Sequence, residues 1–233
     1  MQRLVCAAAV VLAATIGTSA AINSSEAVRL AASARVVQDI QSTIPSDLWN
    51  GAQCAIVIPD LKKAAFILGG EYGKGVMSCR SGDHWSAPIF MQLAKGSWGF
   101  QAGAQSVDVV MLVLNQQGVH KLLNNKVNLG VDASVAAGPV GRQAQAGTDA
   151  AFKAEILSYS RASGLFAGID LSGGVLRPDE DANQNAYGRS ATATSILASS
   201  GVSAPTEATA FLTALNSVHG AASERPAATS GVK

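Results

Sequence analysis

The sequence predicts an α+β fold: a mainly antiparallel, strongly curved or barrel-like β-sheet with a helix at its N-terminal end and another at its C-terminal end. Three observations predict it. Apolar residues alternate with Gly, Ser, Gln and Asp through residues 75–142, and from Leu129 through Val131, Ala133 and Val135 to Ala137 one face is apolar. That period of two is what a half-buried strand requires. Glycines at 82, 96, 99 and 103 punctuate the pattern as turns, bulges or close backbone approaches. At both ends of the chain the apolar period changes to that of a helix.

The first helix spans residues 24–44. Ser24 or Ser25 serves as its cap, Glu26 lies in the first turn, and Val28, Ala32, Val36, Ile40 and Ile44 recur at helical spacing. Pro45 ends it. Strands follow at Cys54–Ile58, Ala64–Leu68, Gly75–Cys79, Ile89–Leu93, Gly99–Gln105 and Val109–Leu114, with turns at Pro59-Asp60 and Gly69-Gly70. A short helix over Gln117–Asn124 precedes a strand over Leu129–Ala137. Ala154–Ser160 and Leu165–Val175 form a hairpin around Ala162-Ser163-Gly164. The last helix starts near Pro205 with Ser203 as cap, and carries Phe211, Leu212, Leu215 and Val218. Short strands at short spacing with helices at the ends give a sheet that curls or closes.

Residues 1–21 read as a secretory signal: Arg3, an apolar run from Leu4 to Ile16, then small residues at 18–21. Residues 22–219 form one domain, and the polar, small residues 220–233 a disordered tail. The mature chain is then periplasmic or secreted, with room for peripheral membrane association. Loss of Arg3 leaves 16 basic and 16 acidic residues. A neutral chain lacks the basic footprint of a nucleic-acid binder. Charged residues are 14% of the chain and aromatics 5%, which suits a packed β-rich scaffold better than an aromatic ligand pocket. Two cysteines remain after cleavage, Cys54 and Cys79, and in an oxidising compartment they are expected to pair. The alternative is two buried thiols.

The run Gly82-Asp-His-Trp-Ser-Ala-Pro88, then Gly103-Ala-Gln-Ser-Val-Asp108, Gly138-Pro-Val-Gly-Arg142 and Tyr159-Ser-Arg-Ala-Ser-Gly-Leu-Phe-Ala-Gly168, resembles the SYLF domain over roughly residues 25–200. The resemblance implies a non-catalytic, membrane-binding domain, recognising phosphoinositides and in some members actin in eukaryotes. It transmits no catalytic residue and no cofactor.

The residues themselves offer little reactive chemistry. His84, His120 and His219 lack clustered partners, so zinc is not indicated. No Gly-x-Ser-x-Gly elbow is present, and the glycine-rich 69–75 stretch lacks the spacing of a phosphate-binding loop. Asp179, Asp181, Asn183 and Asn185 alternate as calcium ligands do, but Gln184 and Ser190 stand where an EF-hand needs Gly and Glu. A solvated loop is the preferred reading.

The leading expectation is a non-enzymatic protein binding membrane lipids through anionic headgroups. Lys62, Lys63, Lys74 and Arg80 outnumber Asp60 and Glu71 near the glycine-rich turns. They read equally as ordinary solvated charges. Arg29 and Arg35 on the first helix complete the candidate set, but Glu26 and Asp39 share that face. The alternatives are a structural or protein-interaction module of the cell envelope, and a hydrolase assembled from dispersed residues such as Asp83, His84 and Arg161.

Overall fold

Strand-forming sequence is densest between Cys54 and Val113, where Val, Ile and other apolar side chains alternate. A computed structural model describes residues 22–65, 68–98, 103–123, 126–140, 154–197 and 202–223. It builds that stretch into β1 (Cys54–Ala65), β2 (Leu68–Ser81), β3 (His84–Trp85), β4 (Ile89–Trp98) and β5 (Gly103–Val113). Shorter strands follow: β6 (Val127–Asn128), β7 (Val135–Ala137), β8 (Ile156–Ala162), β9 (Leu165–Gly168) and β10 (Gly174–Pro178). The order is β6-β10-β4-β2-β1-β5-β8-β7, with β3 on β2 and β9 on β8. Among the strands described, β7 and β8 alone pair in parallel. β6 and β7 stand at opposite ends of that order, yet residues 129–134 join them and Leu129 bridges Ala133. The sheet therefore curls until its ends approach, and the fold is the expected α+β.

Both faces of the sheet are buried. Ala55, Val57, Val76, Phe90, Val110, Leu112 and Tyr159 form the outer face, against Leu30, Val37, Ile40, Trp49, Phe211 and Leu215. Those residues come from α1 (Ser24–Ile40), α2 (Ser46–Gly51) and α6 (Thr209–Ser223). Ile56, Ile58, Leu61, Met77, Met91, Leu93, Val109 and Met111 form the inner face. It is closed by α3 (Gln116–Leu122) and α5 (Ala193–Leu197). Between β10 and α5 lies α4 (Glu180–Tyr187).

Several local expectations are corrected. Asn23 caps α1: its side chain accepts from the N–H of Ser25 and Glu26, while the Glu26 carboxylate accepts the Asn23 N–H at 2.9 Å. That reciprocal box fixes the start two donors at a time. The helix stops at Ile40, and Pro45 opens α2. Pro59-Asp60 is no turn but a bulge within β1, and Gly69-Gly70 lies inside β2, which also absorbs Gly75–Cys79. The strand expected over Leu129–Ala137 is split by a turn at 130–132, with Gly130 at φ 86°. The hairpin around Ser163-Gly164 forms, both residues at positive φ, but its second strand stops at Gly168. The run expected as loop over 179–185 is helix from Glu180, with Asp179 at its N-cap. Pro205 precedes a 3₁₀ turn (Thr206–Ala208), and α6 carries through Ser223, past the expected start of a tail. Residues 1–21, 224–233, Asn124 and the Gly138–Arg142 turn's last two residues lie outside the described residues.

The bulge is the main irregularity of the sheet. Between Ile58 and Leu61, β1 holds one residue more than either neighbour, and Asp60 sits at φ 55°. Ser106 donates its hydroxyl to the Asp60 carboxylate, and the Asp60 N–H donates to Asp108 at 3.0 Å. The bulged backbone presses against β2. A Cβ at Gly75 would lie 1.9 Å from the Val57 carbonyl oxygen. We therefore expect Gly75→Ala to lose about 1–3 kcal/mol of stability in denaturant titration. Gly51→Ala, with nothing within 4 Å, should change little.

The same β1–β2 ladder places Cys54 opposite Cys79, and the two are disulfide-bonded. Thiol titration of residues 22–233, denatured and unreduced, should find no free thiol. Replacing both by Ser should cost ~3 kcal/mol, the chain-entropy value for a loop of this length.

Candidate functional site

The densest set of ionised groups lies where α1 crosses the sheet. Arg29 is buried, and its guanidinium lies 5.2 Å from the centre of the Phe90 ring. Its Nη1 donates to Asp179 Oδ2 at 2.9 Å, and Lys74 Nζ reaches the same oxygen at 2.9 Å. The side chain of Asp179 is only 5% exposed. It is placed there by the junction of β10 and α4. The Asp179 N–H donates to the Phe90 carbonyl, and the Asn183 amide both accepts from Phe90 N–H at 2.8 Å and donates to Phe90 O at 2.9 Å. Asn183 thus takes the part of a neighbouring strand for one residue of β4. An open groove of about 340 Å³ adjoins the cluster, lined by Gln92, Arg177, Pro178, Asp179, Glu180 and Asp181.

A second cluster holds the other end of α1. Arg161 on β8 binds Asp39 of α1 and Asp108 of β5, the latter at 2.7 Å. Hydrogen bonding to Asp108 raises the Arg161 pKa over the opposing effect of burial, and the charges of Asp108 and Asp39 add to it. α1 is docked on the sheet through both clusters and the apolar contacts between them.

The six cations expected to meet lipid fall in four places. Lys62 is 67% exposed and lies 2.6 Å from Asp60; Lys63, on the other face of β1, is 3.4 Å from Glu71. Arg29 and Lys74 share Asp179. Arg35 is exposed on α1. Arg80 packs over Trp85 at 4.5 Å and donates to the carbonyls of Ala52 and Trp49. Burial lowers its pKa. Lys62 pairs with Tyr72, eight residues along β2 from Arg80, so roughly 26 Å separates them. They form no single patch.

Nor do the other candidates converge. Asp83 and His84 are exposed at the β2–β3 turn, whereas Arg161 is paired with Asp108, at the level of the β1 bulge. By register that is about 20 Å from Ser81, the partner of His84. Of the alternating 179–185 oxygens, Asp179 is held by two cations and Asn183 by the Phe90 backbone. Among the described residues no three His, Cys, Asp or Glu are grouped to hold a metal ion. Asp179 and Asn183 were missed as anchors because their run read as loop. Pro178-Asp179-Glu180, a helix-opening pattern with acids in the first turn, was the available signal.

The Asp179 cluster has a pH signature. Burial works to raise the carboxyl, but hydrogen bonds from Lys74 and Arg29, with their charges, outweigh it and hold the pKa below its ordinary 3.8. A depressed carboxylate contributes stability that is present above the unfolded-state pKa and lost as pH falls through the folded one. Asp179→Asn should therefore flatten the acid limb of stability below about pH 4. At neutral pH it should cost about 3–5 kcal/mol by leaving Arg29 buried without its partner. The double replacement Arg29→Met with Asp179→Leu should recover most of that loss.

Comparison with known proteins places this arrangement. The family profile described as "Las17-binding protein actin regulator" (Ysc84) matches residues 94–218, more than half the chain. An SH3 domain-containing protein of Schizosaccharomyces pombe is 35% identical over 76% of this chain and 42% of its own length. LAS seventeen-binding protein 3 of Saccharomyces cerevisiae is 35% identical over 66% of this chain and 34% of its own. SH3 domain-containing YSC84-like protein 1 of Xenopus laevis is 30% identical over 63% and 44%. The chain spans less than half the length of these relatives, one of which is named as a binding protein and two as SH3 domain-containing proteins. With the SYLF motifs in order and a profile match across more than half its length, this chain belongs to the Ysc84 (SYLF) family.

Proposed function

We propose that the domain is a non-enzymatic binding module that associates with anionic lipid headgroups at the periplasmic or outer face of a membrane. The observation that carries this reading is the lysine pair Lys62 and Lys63. Each is ion-paired, Lys62 with Asp60 at 67% and 60% side-chain exposure and Lys63 with Glu71 on the other face of β1, whereas Arg29, Lys74 and Arg80 of the same candidate set are engaged by internal partners. Lys62 is the most exposed of the paired cations. The Cys54–Cys79 bond supports export, since such bonds persist in oxidising compartments. Headgroup selectivity of the phosphoinositide kind belongs to the same proposal.

A second reading, a protein-interaction module of the envelope, draws on two observations. One relative's name states that it binds Las17. Among the described residues, β4 beyond Lys95 and β5 before Asp108 each have one edge without a ladder partner, the geometry to which an added strand pairs.

Vesicle co-sedimentation of the mature protein decides between them. We expect pelleting with phosphatidylglycerol-containing vesicles, weaker binding as salt rises, and roughly fivefold or greater loss for each charge reversal at Lys62→Glu and Lys63→Glu. Equal recovery in the supernatant with every lipid tested would sink the lipid reading and leave the protein-interaction one.

A further inference from the structure

Gln92 ties an exposed aromatic ring to a polar groove. Val76 and Phe90 face the helices from β2 and β4. By the strand period of two, Lys74, Tyr72 and Gln92 lie on the same face further along the ladder, where Tyr72 and Lys74 are exposed. Tyr72 is 46% exposed, and its hydroxyl donates to Gln92 Oε1 at 3.3 Å. Ala94 opposite it on β4 and Gly70 two residues along β2 are exposed as well. Neither carries more than a methyl group, so the ring leans toward β4 and stays open to solvent.

On the other side of Gln92 lies the groove at the junction of β10 and α4. Its volume of about 340 Å³ falls within the range of small-molecule sites, roughly 300–1,000 Å³. Asp179 on its wall has a side chain only 5% exposed. Arg29 and Lys74 both bind Asp179 Oδ2. Among the described residues Oδ1 accepts from no group, and it does not cap α4. An acceptor so enclosed gains more from a ligand's donor than one in open water. Glu180 and Asp181 add exposed acceptors, while Arg177 and Lys74 add exposed donors.

Charge decides what kind of ligand fits. Arg29, Lys74 and Arg177 balance Asp179, Glu180 and Asp181, so the site is neutral as a whole. A cation would meet Arg29 and Lys74 behind the Asp179 carboxylate, and an anion would meet Glu180 and Asp181. A neutral ligand rich in hydroxyls is repelled by neither set and satisfies both. A pyranose ring also carries polarised C–H groups, which pack on the negative face of an aromatic ring. We propose that Tyr72 and the β10–α4 groove form a binding site for a neutral oligosaccharide. One pyranose stacks on Tyr72, Gln92 bridges to the next, and hydroxyls of that next sugar donate to Asp179 Oδ1 and accept from Arg177. The lipid reading places membrane contact at Lys62 and Lys63, so the two stand or fall separately.

Isothermal titration of the protein with chitotetraose, maltotetraose and cellotetraose tests it. At least one should bind with a Kd of about 1 mM or tighter. Tyr72→Ala and Arg177→Ala should each weaken that binding about tenfold. Their Tm should match wild type, because both side chains are exposed. Tyr72→Phe keeps the ring and should stay within about threefold of wild type. No binding of any of the three sugars at about 10 mM, or affinity unchanged in both Ala variants, overturns the proposal. So does inositol hexakisphosphate that binds tighter than every neutral sugar and loses affinity in Arg177→Ala, which would make the groove an anion site.

Discussion

The register of β1 is the constraint on which the rest of the structure depends. It lies between β2 and β5, makes the two longest ladders of the sheet, and is buried on both faces. A strand with two buried faces must supply apolar side chains at every position, and Cys54 to Ile58 does so. The extra residue at the bulge then reverses which parity faces inward. Ile56 and Ile58 point to the inner core before it; Leu61 points there after it, and Lys62 is turned outward. Without the bulge, a one-residue slip would carry Leu61 out of the core and a lysine into it. The cost of the reversal is met opposite the bulge by Gly73 and Gly75, where any side chain would strike Ile58, Leu61 or the Val57 carbonyl.

Docking of α1 follows from that frame by a different kind of force. Its apolar stripe of Leu30, Val37 and Ile40 supplies non-directional burial, which would tolerate sliding along the sheet. The two ion clusters remove that freedom. Arg29 must find Asp179 at the β10–α4 junction, and Asp39 must find Arg161 on β8. A buried ion pair gains little net stability over an apolar pair of equal volume, but breaking it is costly, so its effect is to select one arrangement among several. The helix is thereby committed to the sheet at both ends.

Much of the fold was legible because burial imposes periodicity. The alternation in β4 and β5, the helical spacing of α1 and the Ser163-Gly164 hairpin turn all declare themselves locally. The errors have a common physical origin. Pro59-Asp60 and Gly69-Gly70 look like turns because their residue types favour turns, yet the ladders on both sides carry the chain straight on, through a bulge at Asp60 and through paired strand at Gly69-Gly70. Residues 179–185 read as loop because their polar side chains suggest solvation, whereas Asp179 and Asn183 are buried and satisfied by Arg29, Lys74 and the Phe90 backbone. Cys54 and Cys79 could be paired from number and compartment alone, while the partners of Arg29 and Arg161 could not. Ion pairs that join residues 150 or 122 positions apart leave no local trace.

The domain has two unlike ends, and the difference follows from where its polar groups are spent. At the end of the sheet where β2 leaves toward β3, Arg80 is held by Trp85 and by carbonyls near α2, Ser78 donates to Ser86 O, and the disulfide ties β1 to β2. Arg80, Ser78 and the Cys79 N–H each donate to a partner within the fold, and the side chains pack for rigidity around the buried indoles of Trp49 and Trp85, whose N–H groups have no partner among the described residues. At the other end, among the described residues, the β4–β2, β2–β1 and β1–β5 ladders run on to Trp98, Leu68, Ala65 and Gly103 after the ladders to β10 and β8 have stopped. A protein under selection only for stability would shorten such strands or charge their tips. The sequence places no charge at residues 64–70 or 96–107, while the opposite end of β1 and β2 is cross-linked by the disulfide. Between those ends the bulge and the glycines facing it fix the register of β1 on β2, so the long pairing of the two strands is held at its middle and at its base rather than by charges at its far end.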